Sequence, residues 1–244
     1  MPDEIVVYDQ FAIVEFAENP EPRCAVVLLL DTSGSMQGRP IEELNRGLAA
    51  FDRALKADRL ASLRVELAVI TFGGKVRTLD VRGGASKGAE PDADELFVTA
   101  DAFQLPRLTA HGETPMGEAV ARGLDLLAER KTIYKRHGID YFRPWLFLVT
   151  DGQPTDRGWE AAAARARDEE ARRGLSFYAV GVEGADLRKL AQFSDLRAPV
   201  KLKGLAFEEL FQWLSASLSA VSQSKPGTQV PLPPVGWADI DTSV

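Results

Sequence analysis

One cysteine, Cys24, stands in a chain of 244 residues. A lone thiol excludes an internal disulfide and any metal site built from several thiolates. Cys24 directly precedes an apolar run, so it reads as a small core residue rather than a nucleophile. Imidazoles are nearly as scarce, with only His111 and His137. No apolar run approaches the ~18 residues of a membrane span, which leaves no membrane partner to expect. The opening Met1-Pro2-Asp3-Glu4 lacks the basic start of a secretory signal. A soluble, cytoplasmic protein is the expectation. Positive charge is also in short supply: 29 Lys and Arg face 36 Asp and Glu, for a net charge of −7. An acidic chain without a basic stripe argues against nucleic acid as a partner. Lys131, Lys135 and Arg136 come nearest to a basic patch, and a solvated helix end explains them. No Gly-x-x-x-x-Gly-Lys-[Ser/Thr] phosphate loop occurs.

What is present is organised around Ala25-Val-Val-Leu-Leu-Leu30-Asp31-Thr-Ser33-Gly-Ser35-Met36. Six apolar residues run into a carboxylate, hydroxyls and a glycine. So short and apolar a run predicts a strand buried on both faces, in the middle of a mainly parallel sheet. Val65–Phe72, Trp145–Thr150 and Leu175–Val182 read as further strands, with Val76–Val81 as an antiparallel edge and Val200–Leu202 as a short strand. Ile41, Leu44, Leu48, Phe51 and Leu55 recur at helical spacing after Pro40, as do Met116, Val120, Leu124 and Leu127 after Pro115. Gly158–Arg173, stopped by Gly174, Leu187–Phe193 and Phe207–Val221 complete the helices. Ile5–Tyr8 and Ala12–Phe16 are short extended candidates, and residues 82–112 read as a long loop with one short strand near Leu96–Thr99. Alternating strands and helices imply an α/β fold: a doubly wound, mostly parallel, six-stranded sheet with helices on both faces. The chain divides into an extension at residues 1–21, a domain at 22–221 and a Pro- and Ser-rich tail or strap at 222–244.

Ligands in open α/β sheets bind beyond the carboxyl ends of the strands. Two strands end there in aspartate, Asp31 and Asp151, and Thr114 opens a helix between them in sequence. Asp31, Ser33, Ser35, Thr114 and Asp151 can therefore surround one cation. All are hard oxygen donors, suited to Mg²⁺, with Mn²⁺ or Ca²⁺ as substitutes, rather than zinc. The competing structural account is an Asx or Ser turn in which the same side chains only satisfy loose backbone amides. Asp156 reads as a helix cap, with support of the site as the alternative. His111 reads as a solvated loop residue near the rim.

Asp31-Thr-Ser33-Gly-Ser35, Thr114 and Thr150-Asp151-Gly152 resemble the metal-ion-dependent adhesion site of von Willebrand factor A domains, over roughly residues 22–221. The resemblance implies that Ser33 and Ser35 ligate the ion directly, that Thr114 engages or releases it, and that the aspartates act mostly through water. It also implies a partner protein whose carboxylate takes the sixth position, so that Ser33, Ser35 and Thr114 face that partner. Asn19–Cys24, Gly112–Ala119 and Thr150–Asp156 further resemble the TerY-type proteins of tellurium-resistance and related stress systems. That finer likeness implies protein kinase, phosphatase and Ter-protein partners. A non-catalytic, metal-dependent interaction module is the expected function. The alternative is a phosphatase-like, metal-dependent hydrolase using Asp31 and Asp151.

Overall fold

The computed structural model describes residue 16 and residues 18–82, 96–151 and 153–239. Strand β1 (Cys24–Asp31) leads through a 3-10 turn (Gly34–Met36) into helices α1 (Arg39–Ala57) and α2 (Arg59–Arg64). Strands β2 (Val65–Gly73), β3 (Lys75–Leu79) and β4 (Val98–Thr99) precede helix α3 (Met116–His137). Then come β5 (Trp145–Thr150), α4 (Trp159–Ala171), β6 (Ser176–Gly181), the short α5 (Leu187–Leu190), β7 (Val200–Leu202), α6 (Phe207–Ser222) and β8 (Ala238–Asp239).

The sheet order is β3-β2-β1-β5-β6-β7-β8, with β4 also paired to β2. Strands β2, β1, β5, β6 and β7 run parallel, while β3, β4 and β8 are antiparallel to their neighbours. The mostly parallel α/β architecture is as the sequence predicts. The strand number is not: the sheet has eight strands rather than six among the described residues. The two beyond six, β4 and β8, are two residues long: β4 falls on the short strand expected near Leu96–Thr99, whereas β8 was not expected. Two residues are too few to carry a periodicity, so pairing with its neighbour defines β8 rather than local pattern.

Every residue of β1 is buried. Alternate side chains serve opposite layers, because successive residues of a strand point to opposite faces. Val26, Leu28 and Leu30 pack with Leu44, Leu48 and Phe51 of α1 and with Phe207, Phe211 and Leu214 of α6. Ala25, Val27 and Leu29 pack with Val120, Leu124 and Leu127 of α3 and with Ala162 and Ala166 of α4. Truncating one of these buried leucines to alanine removes about 2–5 kcal/mol. The helix that the sequence ends at Gly174 turns one residue earlier, because Arg173 adopts the left-handed conformation at φ 59°. Of the two extended candidates near the start, Ile5–Tyr8 lies outside the described residues, as does Ala12–Phe16 apart from the buried Phe16.

One charged cluster is sealed in the core. Glu66 on β2 faces Arg23 at 2.7 Å and Arg130 at 2.8 Å, and accepts a hydrogen bond from the Tyr134 hydroxyl. Burial alone would raise the Glu66 pKa, but the two guanidinium groups and the Tyr134 hydroxyl bring it below the ordinary glutamate range.

Residues 222–239 stay on the domain. Residues 223–237 run as a strap to β8, which pairs antiparallel with β7 through Leu202 and Ala238. The Trp213 indole donates to the Pro233 carbonyl at 2.8 Å, and the Lys203 amide donates to the Trp237 carbonyl at 3.0 Å.

Candidate metal centre

Strands β1 and β5 are adjacent and parallel, so Asp31 at the end of one and Asp151 just past the end of the other share one edge of the sheet. Three loops meet there. The Thr32 amide extends the ladder to the Phe72 carbonyl at 2.9 Å, the His111 amide donates to Thr32 at 2.7 Å, and the Gly34 amide donates to Gly112 at 2.8 Å. The Gly74 amide donates to Glu113 at 2.8 Å. These contacts are backbone on backbone and leave no room for side chains. A Cβ on Gly73 would lie 2.1 Å from the Thr32 carbonyl oxygen, and one on Gly112, at φ +75°, would lie 2.5 Å from the Gly74 Cα.

The oxygens form a continuous chain. The Ser33 amide donates to Asp31 Oδ1 at 2.8 Å, and the Thr150 hydroxyl donates to Asp31 Oδ2. Ser33 Oγ and Ser35 Oγ are 3.0 Å apart, and Ser35 Oγ donates to Asp151 Oδ1 at 2.7 Å. Asp31 and Ser33 are buried, Ser35 is exposed and Asp151 is half-buried. Four of the five expected residues are thus linked directly. Thr114 joins them through its backbone. It follows the segment stitched to Thr32 and Gly34, its amide donates to Thr155 Oγ1 at 3.1 Å, and its carbonyl accepts from the Thr155 amide at 3.0 Å. Its side chain is buried, and its hydroxyl makes no hydrogen bond among the described residues. Gly152, expected in the turn after Asp151, lies outside the described residues.

Burial pushes the Asp31 carboxyl up to about 6, against the hydrogen bonds from Ser33 and Thr150, and repulsion by Asp151 adds to the rise. Burial also raises Asp151, with the Ser35 hydroxyl opposing. Among the described residues, no cationic side chain contributes to either value. Two carboxylates and a ring of hydroxyls, with no internal positive charge, are the donor set a hard divalent cation satisfies. The residues present therefore fit Mg²⁺ or Mn²⁺. Among the described residues, no group of three His, Cys, Asp or Glu side chains competes as a softer metal site.

Residues flagged only faintly by sequence frame the centre. Asp156 is a cap, but of α3 rather than of the helix that follows it. It accepts from the Gly117 amide at 3.1 Å and the Glu118 amide at 2.9 Å. With Thr155 it locks the loop after β5 to the start of α3. Thr155 carries no signal of its own beyond its place in the Thr150–Asp156 run. Cys24 is fully buried, and burial with the nearby Glu66 charge pushes its thiol up to about 12. His111 is an exposed loop residue and His137 ends α3.

The chain matches the von Willebrand factor type A domain profile over residues 25–207. No curated protein sequence matches it. Among solved structures, it resembles a von Willebrand factor type A protein of Catenulispora acidiphila, with a TM-score of 0.56 and 17% identity over 82% of this chain and 43% of that one. It also resembles the open form of the pilus adhesin SpaC of Lactobacillus rhamnosus GG, with a TM-score of 0.60 and 14% identity over 82% of this chain and 30% of the adhesin. A third similar structure is the vWF domain of the type V pili tip protein Mfa5 of Porphyromonas gingivalis, with a TM-score of 0.60 and 12% identity over 85% of this chain and 99% of that domain. The chain thus spans less than half of the first two proteins and nearly all of the third. At these identities the likeness speaks for the fold.

Proposed function

Because this chain belongs to the von Willebrand factor type A domain family, we propose that it is a non-catalytic interaction module that uses a bound divalent cation to capture a carboxylate of a partner protein. One observation carries the reading: Asp31, Ser33, Ser35 and Asp151 form a connected oxygen set with two carboxylates and no internal cation. When bound, Mg²⁺ or Mn²⁺ supplies a local positive charge on an otherwise acidic protein. Asp31 and Asp151 hold the ion's charge. Ser33, Ser35 and Thr114 supply neutral oxygens toward the exposed side, where a partner's acidic side chain arrives. Neutral ligands leave the ion enough residual charge to attract that carboxylate.

The same residues offer no evident base or nucleophile for turnover. The Cys24 thiol is buried and held protonated, and His111 and His137 are loop and helix-end residues. Among the described residues, no helix is long and apolar enough to cross a membrane. We place the protein in the cytoplasm, where a lone reduced Cys24 is at home. The runs Asn19–Cys24, Gly112–Ala119 and Thr150–Asp156 support a TerY-type role in tellurium resistance or a related stress response, with kinase, phosphatase and Ter-protein partners.

The test is calorimetric titration of Mg²⁺ and Mn²⁺ into the whole chain and into Asp31→Ala, followed by partner capture in Mg²⁺ and in EDTA. Metal binding lost in the variant, and capture lost in EDTA, are expected. Equal metal binding by both proteins sinks the site assignment. Metal-dependent hydrolysis of a phosphoester, abolished by Asp31→Ala, favours the hydrolase instead.

A further inference from the structure

The Pro-rich strap after α6 takes no part in the metal centre. It lies beyond the 25–207 span matched by the family profile. It also lies at the flank of the sheet, past β6 and β7 from Asp151. Its centre is Val230-Pro231-Leu232-Pro233-Pro234-Val235. Each proline fixes its own φ at about −65° and pushes the residue before it out of the helical region. Val230 to Pro234 are thus biased to an extended, polyproline II path by their own covalent structure. Residues 229–236 accordingly form no helix, strand or turn.

A polyproline II segment turns once in about three residues, so positions three apart share an edge. Burial along the strap follows that period. Leu232 and Val235 pack against the core. Pro231 and Pro234 are exposed, and Val230 and Pro233 are half-buried. One edge therefore fastens the strap to the domain, while another presents two proline rings about 9 Å apart. The Trp213 indole, donating to the Pro233 carbonyl, and the pairing of β8 with β7 hold the segment in this register.

Two features define the surface that fits this edge. First, Pro226–Gly236 contains no Asp, Glu, Lys or Arg, although such residues make up 27% of the chain. A charged partner surface finds nothing to pair with there, which leaves apolar and aromatic contact. Second, among the described residues, Pro233 is the only member of Val230–Val235 that makes a hydrogen bond. The remaining carbonyls are open acceptors. Trp213 shows the donor that suits them, an indole N–H reaching a proline carbonyl.

We propose that the exposed edge of the strap is a docking segment for a partner protein with an aromatic-lined groove. Pro231 and Pro234 seat between the partner's rings, and a Trp or Tyr of that groove donates to a strap carbonyl. Pro-x-x-Pro segments are read in this way by grooves that exploit the preformed helix. The prolines and the fastened inner edge already hold the strap in shape, so docking costs little conformational entropy. The metal centre stays open when the strap is engaged, so the two surfaces can be occupied together.

The experiment titrates purified SH3, WW and EVH1 domains, which carry such grooves, into the full chain by calorimetry. Saturable binding of at least one of them is expected, equal in Mg²⁺ and in EDTA. Pro231→Ala with Pro234→Ala should weaken it at least about tenfold, as loss of two seated rings requires. Tryptophan emission of that double variant should match the parent's, which shows that Trp213 and Trp237 stay covered. Thr228→Ala, before the segment, should bind as the parent does. Replacing the groove aromatics of the probe domain by alanine should abolish binding, a readout independent of how the chain folds. The proposal is overturned if none of the three domains binds, or if the double variant or the altered domain binds undiminished. Binding lost in EDTA overturns it too, by moving the contact to the metal centre. Self-association of the chain that vanishes in the double variant, with no binding of the domains, assigns the edge to a second copy and likewise overturns it.

Discussion

Glu66 and Asp31 are both fully buried carboxylates on adjacent strands, yet they are opposites. Glu66 meets two arginines and a tyrosine inside the fold, and its pKa is drawn down. Among the described residues, Asp31 meets only hydroxyls and an amide, and its pKa is pushed up to about 6. Burying a charge is costly unless it is paired. The chain closes that account internally at one end of the sheet and leaves it open at the other. The structural carboxylate Glu66 has its own cations, whereas Asp31 has none among the described residues.

The hardest way to break the comparison is Glu66→Gln. It leaves Arg23 and Arg130 buried against a neutral amide and should cost about 3–5 kcal/mol. Urea unfolding measures this loss, and Mg²⁺ should not restore it. The lowered Glu66 pKa stabilises the fold above the unfolded value near 4.5 and stops doing so as pH falls through the folded value.

Asp31→Asn should act in the reverse direction on the metal-free protein. A carboxyl raised from 3.8 to about 6 takes up its proton more readily folded than unfolded. Its ionisation therefore leaves the metal-free fold unaffected below pH 3.8, destabilises it progressively as pH rises, and reaches the full penalty above pH 6. Removing the charge should stabilise metal-free protein at neutral pH by on the order of 3 kcal/mol. The same variant should lose the thermal shift that Mg²⁺ gives the parent. Melting curves from pH 4 to 8 in EDTA and in Mg²⁺ test both halves. A variant that melts lower than the parent in EDTA at neutral pH contradicts the assignment of Asp31 as an open charge.

A smaller effect is expected at Asp156→Ala, which deprives α3 of acceptors for the Gly117 and Glu118 amides and should cost about 1–2 kcal/mol. Since the same loop holds Thr114, metal-dependent partner capture should weaken too. Smallest in stability is Thr114→Ala, within about 1 kcal/mol, because the hydroxyl makes no hydrogen bond among the described residues. Its effect should appear in capture of the partner, by surface plasmon resonance in Mg²⁺.

The sequence made the open account legible and the closed one invisible. Asp31, Ser33 and Ser35 are close in the chain, and the apolar runs before Asp31 and Asp151 say where both must lie. Glu66 is one acidic residue inside an apolar strand, and its partners Arg23, Arg130 and Tyr134 are supplied by distant elements. No local spacing announces that cluster. The same applies to Asp156, whose helix lies some forty residues upstream, at Gly117 and Glu118. Strand β8 is likewise defined by its partner Leu202 and not by its own two residues. Local pattern reveals strands and the loops that end them, whereas contacts closed by tertiary packing appear only once the fold is built.

Strand β8 also has a consequence for how the protein keeps to itself. Unpaired strand edges invite another chain to add on, and proteins blunt them with charge, brevity or a cover. On one flank β3 places the charged Lys75 and Arg77 on the outermost strand. On the other flank, the three-residue β7 is capped by the strap and its two-residue strand. Clipping the chain after α6 would uncover β7 and turn a guarded flank into a template for edge-to-edge association.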